Sequence, residues 1–125
     1  MSNLAGKTIL WVEDDKFLQG IISHKLNQES ATILYTKDGQ EALGLAEQNK
    51  PNLIVLDILL PSMDGVEVLR KLKASEATRD IPVIMFSNVD DKARVEESRK
   101  LGIKGFFVKT TMTMDEIVAE LNKAV

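Results

Sequence analysis

The chain has 125 residues, 44% hydrophobic and 28% charged, with 16 Lys and Arg against 19 Asp and Glu and a net charge of −3. That length fits a single domain over residues 1–125, and the mild acidity supplies no basic field for nucleic acid or anionic lipid. The sequence has no cysteine, which excludes disulfide and thiol chemistry, and it has neither a membrane-length apolar run nor a signal-peptide core in Met1 to Lys7; a cytoplasmic location with no membrane or direct nucleic-acid partner is expected.

Thr8–Val12 (TILWV) reads as a buried strand and runs into the acidic triplet Glu13-Asp14-Asp15. A helical stripe of Phe17, Leu18, Ile21, Ile22 and Leu26 follows, with His24, the only histidine, on a helix face. Thr32–Tyr35 is the second strand, and Asp38-x-x-Glu41 matches a capping box opening the next helix. Leu53–Leu56 (LIVL) is the third strand and ends on Asp57. Asp64-x-x-Glu67 then opens a helix with Val66, Leu69 and Leu72 on one face. Val83–Phe86 gives the fourth strand, ending at Ser87-Asn88, and the polar helical segment Asp90–Leu101 stops at Gly102. Gly105–Val108 is the fifth strand and ends on Lys109. Thr113-x-x-Glu116 matches a third capping box, with Met112 and Ile117 at staple spacing and Met114, Ile117, Val118 and Leu121 on one face. Five strands alternating with five helices predict an α/β sandwich around a parallel sheet.

In such sheets ligands bind beyond the carboxyl ends of the strands. Taken singly, each residue there has an ordinary explanation: a cap for Glu13–Asp15, a turn for Asp57, a local backbone partner for Ser87, a solvated charge for Lys109. Their convergence on one rim carries the signal. Two carboxylates about 4 Å apart repel by roughly 4 kcal/mol at an effective dielectric near 20, so three sharing a pocket demand a proton or a cation. Oxygen donors without His or Cys select Mg²⁺ or a similarly hard ion. Lys109 adds a positive charge and Ser87 a hydroxyl, a set suited to neutralising a phosphoryl group in transfer, and Asp57 is the natural nucleophile.

These residues resemble the receiver domains of two-component response regulators from Thr8 to Leu121. The motifs are Glu13-Asp14, Leu53-Ile-Val-Leu-Asp57, Pro61-Ser-Met-Asp-Gly65, Ser87 after Pro82-Val-Ile-Met-Phe86, and Lys109 after Gly105-Phe-Phe-Val. The resemblance, rather than the pattern, implies a flavodoxin-like (βα)5 three-layer sandwich of strand order 2-1-3-4-5. It implies that Asp57 takes a phosphoryl group from a sensor histidine kinase or histidine phosphotransfer protein. Asp14 and Asp57 would bind Mg²⁺ (or Mn²⁺) directly, Glu13 through water, and the backbone carbonyl of Leu59 would complete the protein ligands. Ser87 and Lys109 would contact phosphoryl oxygens, and Phe106 matches the aromatic that moves with the Ser87 hydroxyl; its neighbour Phe107 makes a plain core role a competing reading.

The expected function is a phosphorylation-controlled switch acting on its own Asp57, not a turnover enzyme. Its output would reach an effector protein through helix 4, strand 5 and helix 5. A receiver-like interaction module that works without phosphorylation is the alternative. A phosphatase with a strand-end Asp nucleophile fits less well, because Asp57-Ile-Leu59 lacks its second carboxylate, and the acidic loop after strand 1 would repel a flavin phosphate. Two positions depart from the family pattern. Thr110 stands where relatives usually carry a cis proline, so a trans Lys109–Thr110 bond is expected, and Asn88 stands where a small residue is commoner, restricting access. Leu59 and Val89 are apolar at positions flanking the route of attacking water, which predicts slow loss of the phosphoryl group.

Overall fold

The computed structural model describes residues 3–88 and 91–125. Val89 and Asp90 lie outside them, together with the expectations placed on those two positions. Five strands, β1 (Thr8–Val12), β2 (Thr32–Thr36), β3 (Leu53–Leu56), β4 (Val83–Ser87) and β5 (Gly105–Val108), alternate with α1 (Lys16–Gln28), α2 (Gly39–Asn49), α3 (Gly65–Ala74), α4 (Lys92–Leu101) and α5 (Met114–Ala124). All neighbouring strands pair in parallel, in the order β2-β1-β3-β4-β5. The expected strand order and sheet type are therefore observed.

Strand alternation divides the apolar side chains between two faces. Ile9, Trp11, Leu53, Val55, Ile84 and Phe86 form a core with Ile22 and Leu26 of α1 and Ile117, Val118 and Leu121 of α5. Leu10, Val12, Ile54, Leu56, Val83 and Met85 form the other, against Ala42 and Ala46 of α2 and Val66, Val68, Leu69 and Leu72 of α3. Both faces are covered, which explains the unbroken apolar runs of β1, β3 and β4. Trp11 meets Phe86 edge-on at 5.7 Å within the first core.

Two expectations about helices change. The α1 stripe is narrower than its sequence suggests: Ile22 and Leu26 are buried, but Phe17 is 79% exposed and Ile21 42%. Those two side chains lie outside the arc of α1 that meets the sheet. Only Thr113 forms the full reciprocal capping box, its hydroxyl accepting from Glu116 N while Glu116 Oε1 accepts from Thr113 N at 2.8 Å. Asp38 and Asp64 cap their helices by accepting from Gln40 N and Val66 N, each at 2.8 Å. Asp64 uses its other oxygen to pair with Arg94 of α4 at 3.0 Å, and Arg70 of α3 bonds both Glu67 and Glu97 of α4. Gly102 ends α4 at φ +95°, the left-handed conformation expected of it.

Candidate functional site

The carboxyl ends of β1, β3, β4 and β5 open into one cleft of about 250 Å³, lined by Glu13, Asp14, Asp15, Asp57, Leu59, Ser87, Asn88 and Lys109. Backbone bonds fix its floor. Glu13 N donates to Thr36 O at 2.9 Å and Asp57 N to Val12 O at 3.1 Å, so both acidic residues leave the sheet in register. Ser87 closes β4 opposite Val108 and is buried.

The loop after Asp57 doubles back sharply. Gly65 N donates to Ile58 O at 2.7 Å, and a Cβ on Gly65 would overlap the Asp57 carbonyl oxygen and lie 2.8 Å from Ile58 Cα. Gly65 is therefore a site residue by its lack of a side chain, which lets the start of α3 press against the backbone of Asp57. Its place in the Met63-Asp-Gly65 run was visible in the sequence, but the contact it permits was not.

Glu13 is 3% exposed, Asp57 6% and Lys109 largely covered. Lys109 Nζ donates to Asp57 Oδ2 at 2.6 Å and to Glu13 Oε2. The ordinary expectation for an isolated lysine, a solvated surface charge, fails here because two buried carboxylates hold it. Burial opposes the Lys109 charge, yet hydrogen bonds from Lys109 to Asp57 and Glu13 and their attraction keep its pKa above the usual lysine value. Burial pushes Glu13 up from 4.5 to about 7, against the opposing pull of Lys109.

Glu13 Oε1 and Asp57 Oδ1 are buried without a hydrogen-bond partner. Two such buried oxygens in one cleft are costly unless something positive meets them. The donor set is all oxygen, which fits a hard divalent cation. The arrangement differs from the expected crowd of three carboxylates. Asp14 lines the cleft but is exposed, and among the described residues no three acidic or histidine side chains form a ready ligand cluster. Lys109 answers the charge of Glu13 and Asp57 instead. Leu59 also reaches the cleft and is 61% exposed. His24 stands on the exposed face of α1 near Gln28, outside the cleft.

The described residues contain no cis peptide bond, so Lys109–Thr110 is trans as expected. Lys109–Thr111 forms a 3₁₀ turn, and Thr110 N donates to Asn88 Oδ1 at 3.1 Å. Neither the turn nor this bond was legible in the sequence. The two phenylalanines of β5 separate. Phe106 packs partly buried against the α2–α3 side of the sheet, while Phe107 joins the α1–α5 side with its ring over Gly105.

A doubly wound parallel sheet with Glu13, Asp57 and Lys109 gathered at its carboxyl rim defines a flavodoxin-like domain with a charged cleft at the strand ends. The chain belongs to the response regulator receiver domain family, whose model matches residues 9–122. It is 34% identical over 118 residues to the phosphate regulon transcriptional regulatory protein PhoB of Pseudomonas aeruginosa, covering 94% of this chain and 51% of that protein. Polar-differentiation response regulator DivK of Brucella anthropi is 32% identical over 103 residues, 82% of this chain and 84% of that one. The chain spans about half or less of the first curated relatives it matches. Among solved structures, the receiver domain of sensor histidine kinase PA1611 from P. aeruginosa PAO1, with magnesium in its active site cleft, superposes with a TM-score of 0.84 at 27% identity, covering 96% of this chain and 98% of that one. Among the described residues no helix is long and apolar enough to cross a membrane.

Proposed function

We propose that Asp57 accepts a phosphoryl group from a phosphohistidine donor, and that this change of charge switches a protein-binding surface. An Asp57 oxygen attacks phosphorus as the donor's P–N bond breaks, and the bonding pair leaves with the imidazole. Asp57 thereby becomes an acyl phosphate and the donor histidine is restored. The observation that carries this reading is the pair of buried, unbonded oxygens on Glu13 and Asp57 beside the Lys109 ammonium. Mg²⁺, held by Asp57 and Asp14 directly, by Glu13 through water and by the Leu59 carbonyl, would neutralise charge on the phosphoryl oxygens. Lys109 offers a second positive charge already aimed at Asp57, and Ser87 offers a buried hydroxyl at the adjacent strand end.

The domain acts on its own side chain and does not turn over an external substrate. Its histidine kinase or phosphotransfer partner would approach over the open cleft, in the cytoplasm. The effector would read α4, β5 and α5, where β5 is an edge strand and a groove passes between Phe106, Phe107, Met112 and Ala119. Movement of Phe106 with the Ser87 hydroxyl would link the two sites. Incubation with acetyl phosphate and Mg²⁺, followed by intact mass measurement, tests the reading. The wild type is expected to gain the mass of one phosphoryl group and Asp57→Asn none; equal gain in both, or none in either, overturns it.

A further inference from the structure

Lys109 carries its charge on a flexible four-carbon stem, so its aim depends on how its backbone is held. The chain leaves the sheet at Val108, paired with Ser87, and enters the 3₁₀ turn at once. Thr111 Oγ1 donates to Val108 O at 3.0 Å and Met112 N to Lys109 O at 3.4 Å, but both bonds are internal to the turn. The bond from Thr110 N to Asn88 Oδ1 is different, because it ties the turn to the loop that follows Ser87. Thr110 N–H is one of the first amides of a short helix, a group with no partner inside that helix. Asn88 is exposed and lines the cleft, so its carboxamide acts here by bonding and not by packing. A backbone N–H only donates, which fixes the amide oxygen toward Thr110.

We propose that Asn88 and Thr110 form one positioning pair, in which the Asn88 carboxamide holds the Lys109–Thr111 turn and so keeps the Lys109 ammonium on Asp57. Resting on the phosphoryl-acceptor reading, the pair makes Asn88 a positioning residue for transfer to Asp57. It acts through Lys109. The two positions act as a unit: Thr110→Pro removes the donor, and Asn88→Ala removes the acceptor.

Two measurements separate this proposal from the function it serves. Trinitrobenzenesulfonate labelling, quantified for each lysine by peptide mass spectrometry, reads the accessibility of Lys109 without any phosphorylation. The other lysines serve as internal references. Asn88→Ala is expected to raise Lys109 labelling about fivefold, the factor that corresponds to one net hydrogen bond. Thr110→Pro should do the same and the double variant no more, while Asn88→Asp, which keeps an acceptor oxygen, should restore low labelling. Phosphorylation of Asp57 by acetyl phosphate with Mg²⁺ should slow about fivefold in Asn88→Ala and in Thr110→Pro, again without further loss in the double variant. Unchanged Lys109 labelling in Asn88→Ala overturns the proposal whatever the phosphorylation rates. Raised labelling with unchanged phosphorylation overturns the role in transfer. Raised labelling in a chain whose wild type accepts no phosphoryl group upholds the hold on Lys109 and overturns the acceptor reading.

Discussion

Asp57 leaves β3 with its amide bonded to Val12 and its carbonyl pressed by Gly65, whereas Lys109 leaves β5 into a three-residue turn tied to the loop after β4 by one side-chain bond. The carboxylate side of the cleft is thus fixed by backbone bonds and close contact, which side-chain changes leave largely intact. The lysine side rests on a bond that a single substitution removes. A site built this way holds the Asp57 backbone more firmly than the turn that carries the lysine facing it.

The strongest way to break that contrast is at Gly65. Gly65→Ala forces a methyl into the Asp57 and Ile58 backbone, and a loss of about 3 kcal/mol or more is expected in urea unfolding. The Glu13 carboxyl sharpens it next. Its pKa is raised on folding, so between pH 4.5 and about 7 the folded chain holds a proton that the unfolded chain has released. Stability of the metal-free protein should therefore fall as pH rises through that window, by at most about 3 kcal/mol, and level off above it. Below pH 4.5 this group contributes no slope. Glu13→Gln should flatten the profile in pH-dependent denaturant titrations, and Mg²⁺ should restore stability in the wild type near pH 7. Thr113→Ala, on the lysine side, removes the capping box of α5 and should cost about 1 kcal/mol by the same unfolding measurement. The smallest effect is kinetic. Leu59→Asn gives attacking water a polar neighbour and should shorten the acyl-phosphate lifetime roughly threefold, about 0.6 kcal/mol, in a time course of intact mass.

How far the sequence reached follows the same division. The strands Thr8–Val12, Leu53–Leu56 and Gly105–Val108 were legible to the residue as short apolar runs with polar ends, and in β1 and β3 the run is unbroken because the sheet is covered on both faces. Glu13, Asp57, Ser87 and Lys109 were legible for a related reason: each is the first polar group after such a run. What was hidden depends on chain segments distant in sequence. Gly65 matters through a carbonyl eight positions earlier, and Asn88 through an amide in another loop. Asp14 sits beside Glu13 in the chain yet stays exposed, since successive side chains at a strand end turn to different sides. Phe17 and Ile21 complete an apolar period, but the arc of α1 that meets the sheet is too narrow to cover them.

Asp64 serves two masters in this architecture. One of its oxygens starts α3, at the end of the loop that leaves Asp57, and the other grips Arg94 on α4. A shift of that loop large enough to turn the carboxylate leaves either a helix amide or a guanidinium without its acceptor. That carboxylate, with the Arg70–Glu97 bond, joins the start of α3 beside Asp57 to α4.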